Sequence, residues 1–169
     1  MKRIALLAAL TLALSGCGGL RPLYGGGAAG PVQSTLAAVE VAPIEGKSGW
    51  LVANALNDRF DAGRGDAKRY RLEIKLDDQI AGLGVRRDDS VARERRTLRA
   101  RYQLIDLTNG SVVLDATAGS DAGIDVVGSE YATIAAENSA LERLSGIVAD
   151  QIVARVARFA EADAAGLTK

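Results

Sequence analysis

Apolar and polar positions alternate strictly from Tyr70 to Leu76. Tyr70, Leu72, Ile74 and Leu76 fall on one side, and Arg71, Glu73 and Lys75 on the other. A period of two is that of a half-buried strand with one wet face. Arg96 to Ile105 repeats it, with Leu98, Ala100, Tyr102 and Leu104 inward and Arg99, Arg101 and Gln103 outward. Thr108-Asn109-Gly110 then predicts a hairpin, because Asn-Gly tolerates the positive φ of a tight turn. Ser111 to Ala118 returns as the next strand, with Val112, Leu114 and Ala116 on one face. Gly119 to Val127 extends it, with a break at the glycines.

Elsewhere the period lengthens. Leu36 to Ile44 (LAAVEVAPI) is apolar and β-branched and ends beside a proline, which predicts a first strand. Ser48 reads as an N-cap. Val52, Leu56 and Phe60 then recur every four residues, predicting a helix over about Gly49 to Ala62, ended by Gly63-Arg64-Gly65-Asp66. Leu141, Leu144, Val148, Ile152, Val156 and Phe159 form the stripe of a long helix over Ser129 to Ala160, followed by a frayed tail. The order β-α-β-β-β-α gives an α+β fold: a two-layer sandwich with two helices on one face of a roughly four-stranded sheet.

Ahead of this body stands a different kind of sequence. Lys2 and Arg3 precede Ile4 to Leu14, an almost wholly apolar run. As a helix it would span roughly 16 Å, about half of the ~30 Å of hydrocarbon that a membrane span must cross. It therefore reads as the core of an export signal. Leu14-Ser15-Gly16-Cys17 resembles the bacterial lipobox, in which the peptidase cuts before a cysteine that carries a diacylglycerol. The alternative is an ordinary secretory signal with a chance cysteine. Two acyl chains suffice for stable anchoring, so Cys17 is the expected lipid attachment. Gly18 after it, where inner-membrane lipoproteins of enteric bacteria carry aspartate, favours the outer membrane. Gly18 to Pro31 (GGLRPLYGGGAAGP) is rich in glycine and proline and reads as a tether, with Arg21 to Tyr24 either spacer or docking point. The expected organisation is signal peptide 1–16, lipidated tether 17–34, α/β domain 35–162 and flexible tail 163–169.

Composition narrows the chemistry. The chain has 169 residues, 48% hydrophobic and 25% charged, with 21 basic and 21 acidic side chains. That is one domain with an ordinary core and no net pull toward nucleic acid. Removing Lys2 and Arg3 with the signal leaves 19 basic against 21 acidic residues. There is no histidine and one cysteine. Histidine-based nucleophile pairs, imidazole metal sites, CxxC redox pairs and intrachain disulfides are thereby excluded. A carboxylate-only enzyme is not.

Glu45-Gly46-Lys47-Ser48 sits where a P-loop would, but Val41 stands where the motif needs its first glycine, so it reads as a turn into a helix. Arg64-Gly65-Asp66 reads as a turn. Asp77-Asp78 and Asp88-Asp89 read as solvated charge, since neighbours on an extended chain point to opposite faces. The one local excess is basic: Arg86, Arg87, Arg93, Arg95, Arg96, Arg99 and Arg101 against Asp88, Asp89 and Glu94. With a strand beginning near Arg93, the side chains of Arg93, Arg95, Arg99 and Arg101 share one face. Guanidinium groups so spaced can take phosphates or carboxylates. The bland alternative is a solvated face paired with residues such as Glu73 on a neighbouring strand.

The lipobox, the Cys-Gly-Gly-Leu-Arg-Pro-Leu-Tyr-Gly opening (Cys17 to Gly25), Tyr131-Ala132 and the Ala149-Asp150-Gln151-Ile152-Val153-Ala154-Arg155 helix together resemble the LptE family of lipopolysaccharide-assembly lipoproteins, particularly its alphaproteobacterial branch. Gly19-Leu20 replaces the phenylalanine common in that opening. The resemblance implies a protein without catalysis, cofactor or metal. It implies a plug inside an LptD-type outer-membrane β-barrel that assists barrel assembly and insertion of lipopolysaccharide into the outer leaflet. Its expected place is the outer membrane, on the periplasmic side, lipid-anchored through Cys17. Its expected partners are the barrel and lipopolysaccharide, with no nucleic acid. Contact of Arg93, Arg95, Arg99 and Arg101 with lipopolysaccharide is a reading of this chain's own residues. Another envelope accessory lipoprotein, or a carboxylate-based envelope hydrolase with two facing carboxylates, are the alternatives.

Overall fold

Among the described residues seven elements follow one another: α1 (Pro31–Ala37), β1 (Val39–Val41), α2 (Gly46–Phe60), β2 (Tyr70–Val85), β3 (Val91–Asp106), β4 (Ser111–Asp125) and α3 (Glu130–Ala164). The computed structural model describes residues 30–60, 67–85 and 91–167. The readings on the export signal, Cys17, the tether as far as Ala29, Gly63 to Asp66 and Arg86 to Asp89 lie outside the described residues.

The sheet has the order β1-β2-β3-β4. β1 pairs with β2 in parallel, and the other two pairings are antiparallel. Tyr70, Leu72 and Ile74 of β2 and Leu98, Ala100, Tyr102 and Leu104 of β3 are buried beneath the helices, as their alternation predicts. The α+β two-layer class and the sequence order of strands and helices agree with the reading above, with one helix added in front.

That added helix corrects the first predicted strand. Pro31 opens α1, where its missing N–H costs nothing. Val32 and Leu36, four apart, are buried on one side of it. Leu36 and Ala37 therefore belong to a helix, and the strand is only Val39–Val41, paired with Tyr70–Leu72. One more bond, from the Ala42 N–H to the Leu72 carbonyl at 3.0 Å, closes the ladder before Pro43.

α2 starts at Gly46, whose φ of +80° suits glycine. Ser48 thus lies inside the first turn and is not the cap the sequence suggested. Val52, Leu56 and Phe60 are fully buried, each contributing about 1.5–3 kcal/mol relative to exposure. α2 runs parallel to α3: Lys47 Nζ donates to Asn138 Oδ1, and Arg59 Nε to Asp150 Oδ1, both at 2.6 Å.

α3 begins after Ser129, whose hydroxyl accepts from the Ala132 N–H at 3.4 Å. Its predicted stripe is buried from Leu141 to Val156, and the Phe159 ring meets Tyr70 edge-on at 5.9 Å. The helix does not end at Ala160. It continues to Ala164 and closes through Gly166 (φ +68°), with the Leu167 N–H donating to the Ala162 carbonyl at 2.9 Å. The predicted tail thus begins as ordered helix.

β2 and β3 are longer than their apolar alternation. The ladder runs unbroken from Tyr70 opposite Asp106 to Leu83 opposite Arg93, with Val85 opposite Val91 beyond. β4 likewise passes through Gly119 without the predicted break. Near its start the register shifts: Leu104 faces Leu114, but Ile105 faces Val112. Val113 is the extra residue of this bulge. It packs against the core while Val112 turns outward, the reverse of the expected parity.

Candidate functional site

The helix-free face of the sheet gathers the charged positions. Along β2, β3 and β4 the register sets Lys75 beside Arg101 and Thr117, Asp77 beside Arg99 and Gly119, and Arg95 beside Ala81 and Gly123. Arg93, Arg95, Arg99 and Arg101 are all exposed on this one face, as predicted. Arg96, from the same run, points the opposite way, to the helix-covered side.

Three of the four arginines are matched by aspartates of β4. Arg93 Nε lies 3.1 Å from Asp125 Oδ1, Arg95 Nε 4.0 Å from Asp121 Oδ2, and Arg101 Nη2 3.2 Å from Asp115 Oδ2. The partners therefore come from β4 and not from Glu73, which stands opposite Gln103. Hydrogen bonds from Gln103 and then from Arg101 hold the Asp115 carboxyl below its ordinary pKa. Arg71 completes the pattern at the other edge, 2.6 Å from Glu40. Across the described strands this face carries the cations Arg71, Lys75, Arg93, Arg95, Arg99 and Arg101 and the carboxylates Glu40, Glu73, Asp77, Asp115, Asp121 and Asp125. It is polar and balanced in charge along its middle, with Ile105 and Val112 at one end and Ala81 and Leu83 toward the other. Exposed pairs of this kind add little stability, so their value is the surface they present.

Arg99 differs from its neighbours. Among the described residues it forms no ion pair. Its side chain lies across Gly119, where an added Cβ would stand 2.5 Å from Arg99 Cδ. On the far side of the same glycine, Gln151 of α3 reaches around the sheet edge. Its Oε1 accepts from the Gly119 N–H at 2.9 Å, and its Nε2 donates to the Gly119 carbonyl at 3.3 Å.

Two open cavities of about 630 Å³ each meet at this point and share Thr117 and Gln151. One lies on the charged face and is lined by Lys75, Asp77, Arg99 and Arg101 among others. The other lies between β4 and α3 and is lined by Tyr102, Asp150, Ala154, Arg155 and Arg158 among others. Each contributes one carboxylate, Asp77 or Asp150. Among the described residues no group of three metal-ligating side chains occurs. No described helix is long and apolar enough to cross a membrane.

Sequence reading found the four arginines but not Lys75, Gly119, Gln151, Arg155 or Arg158 as their neighbours. Lys75 was visible only as the wet side of a strand. Gln151 and the two later arginines lie on a helix about 50 residues away, and only strand order brings that helix to the β4 edge. The P-loop-like Glu45 to Ser48 segment is a strand-to-helix turn, its lysine occupied by Asn138.

The family model described as LptE, lipopolysaccharide-assembly, matches residues 36–156. Among solved structures, a protein described as a lipoprotein from Caulobacter crescentus is 26% identical, over 79% of this chain and 98% of its own, with a TM-score of 0.67. Two more distant structures share the fold. One is the rare lipoprotein B of Shewanella oneidensis (10% identity, 78% of this chain, 98% of that one, TM-score 0.54). The other is a lipoprotein B of Nitrosomonas europaea (14% identity, 75% and 89%, TM-score 0.56). No curated protein sequence matches. The family match runs through every strand and most of α3, and the chain belongs to the LptE family of lipopolysaccharide-assembly proteins.

Proposed function

We propose that this chain is a non-catalytic outer-membrane lipoprotein that plugs an LptD-type barrel. In this reading it is acylated at Cys17 and held on the periplasmic side. It helps the barrel assemble and assists insertion of lipopolysaccharide into the outer leaflet. The observation that carries the reading is the charged sheet face. A plug must present a rigid, hydrated, nearly neutral surface to a water-filled lumen, and a sheet face of alternating arginine and aspartate supplies one. Covered on its other side by α2 and α3, the sheet has little freedom to deform. The Leu14 to Cys17 motif supplies the anchor, and the lipoprotein descriptions of the structural neighbours are in keeping with it.

Arg93, Arg95, Arg99 and Arg101 are the groups that would meet lipopolysaccharide phosphates. The aspartate partners of Arg93, Arg95 and Arg101 are exposed, so a phosphate can compete for them at small cost.

Depletion of the protein tests the role: mature barrel and surface lipopolysaccharide should fall together, and unaltered levels of both would overturn the assignment. Palmitate labelling should vanish in Cys17→Ser. Replacing Arg95, Arg99 and Arg101 with glutamine should weaken lipopolysaccharide binding at low salt with the fold intact. Unchanged affinity would remove the arginine contact.

A further inference from the structure

We propose that the open edge of β4 receives an acidic, extended segment of a partner protein as a fifth strand, with Gln151 as the side chain that this segment displaces. The inference goes beyond the barrel-plug reading and does not require it.

Residues facing each other in an antiparallel ladder alternate between bonded and non-bonded pairs. The Gly119 N–H and carbonyl are taken by Gln151, so they point away from β3 and toward the edge. By the period of two, the backbone groups of Thr117, Asp121, Gly123 and Asp125 point the same way. Among the described residues, no other element bonds them. β4 spans Ser111–Asp125, and natural sheets seldom leave so long an edge unguarded. Here one side chain makes the two bonds, one donated and one accepted, that a neighbouring strand would make to Gly119. Gln151 is a placeholder for a strand, and exchanging it for a peptide group is close to neutral in hydrogen bonds.

The surroundings specify the occupant. Side chains of an added strand would point alternately to the two faces of the sheet. On the charged face the side chain opposite Gly119 would meet Arg99, which lies across that glycine and forms no ion pair among the described residues. Thr117 and Asp121 of β4 stand on either side, so the carboxylate belongs at the centre and the flanks are neutral. On the helix side the added strand's side chains would meet Arg155 and Arg158. The one carboxylate there, Asp150, is already held by Arg59 at 2.6 Å. Ile147 (37% exposed) and Ala154 share the Gln151 side of α3 and offer apolar cover to one face of the strand. A segment with carboxylates on both faces at its centre fits this edge. A second copy centred on the same point does not, because its β4 has Gly119 where the carboxylate is needed and carries Asp115, Asp121 and Asp125 at the flanks, where neutral side chains are needed.

The test uses the full chain in detergent and a synthetic peptide of about eight residues, Thr-Val-Thr-Glu-Glu-Thr-Val-Thr. Its control carries N-methyl groups on alternate central amides, keeping the charge and removing the ladder. The peptide should slow hydrogen exchange at Gly119, Asp121 and Gly123. Gln151→Ala should tighten binding by about tenfold, the scale of one or two net hydrogen bonds. Arg99→Gln with Arg155→Gln should weaken it by at least about as much. Equal binding of the N-methylated peptide would mean attraction between charges alone and would overturn the proposal. So would unprotected β4 amides in the presence of bound peptide, an absence of binding to both wild type and Gln151→Ala, or a concentration-dependent dimer of Gln151→Ala that protects β4 without peptide.

Discussion

Arg96 of β3 stands opposite Ile80 but reaches diagonally to Asp78 of β2, with Nε 2.8 Å from Oδ1 and Nη2 2.7 Å from Oδ2. Its remaining nitrogen, Nη1, donates to the Glu137 carbonyl of α3 at 3.0 Å. One guanidinium therefore joins two strands and a helix. The pair is largely shielded, the side chains being 12% and 19% exposed. The hydrogen bonds to Asp78 hold the Arg96 charge more firmly than in water. Removing one partner strands the other in a poorly hydrated place. Arg96→Met should cost about 2–4 kcal/mol, measured by urea unfolding. The double variant with Asp78→Leu should cost less than the sum of the two singles. Hydrogen exchange should then show the first turns of α3 opening before the segment from Leu144 onward.

Two helical glycines should respond to alanine with opposite signs. A Cβ at Gly49 would lie 2.6 Å from the Ile44 carbonyl oxygen and 2.8 Å from its carbon. Those atoms are backbone and cannot step aside, so Gly49→Ala should cost about 1–3 kcal/mol. A Cβ at Gly146 would meet nothing within 4 Å. Gly146 lies inside α3, where glycine is a poor helix former, and Gly146→Ala should gain about 0.5–1 kcal/mol. Denaturation midpoints that move in the same direction would contradict the placement of one of them.

The acid limb of stability should be set by carboxylates. Asp106 Oδ1 accepts from the Thr108 N–H at 2.8 Å and the Thr108 hydroxyl at 2.5 Å, and Arg69 lies 3.4 Å from Oδ2. The Thr108 bonds first, and Arg69 after them, hold its pKa below the ordinary carboxylate value. A pKa lower in the folded than in the unfolded chain gives stability that is complete above the unfolded value, about 3.9. That stability is lost as pH falls through the folded value. Asp115 acts in the same direction. Burial raises Tyr70 and Tyr102, so their contribution is complete below the unfolded value of about 10 and is lost above it. With no histidine in the chain, stability should be flat between about pH 5 and 9. Asp106→Asn should lower the plateau and make the acid decline shallower. A transition centred near pH 6 to 7 would contradict this account.

Much of the fold and part of the site were legible because period carries information. Tyr70 to Leu76 and Arg96 to Ile105 had one buried face each, and their alternation reported it directly. The same alternation placed Arg93, Arg95, Arg99 and Arg101 on one face. β2 beyond Leu76 was not legible as strand, and β3 only from about Arg93, because the inward positions there include Asp78, Glu94 and Arg96 where apolar residues would have signalled burial. α1 was hidden because Leu36 to Val41 is apolar almost throughout, and a short apolar run does not separate helix from strand. The meeting of Gln151 with Gly119 needed the sheet order, which no local pattern encodes.

The bulge at Val113 is the clearest case of tertiary structure overriding parity, and it can be tested with one substitution on each side. Strict alternation from Leu114 backward would bury Val112 and expose Val113. The register instead moves from Leu104–Leu114 to Ile105–Val112, leaving Val113 unopposed and turned to the core. Val112 is 50% exposed. Val112→Lys should therefore change stability by no more than about 0.5 kcal/mol, as surface substitutions do. Val113→Lys must either bury an ammonium beside the core or unpack the start of β4, at about 2–3 kcal/mol. Urea unfolding of the two variants separates the alternatives. If Val112→Lys proved the costly one, β4 would follow unbroken alternation, and the register from Asn109 to Leu114 would have to be redrawn.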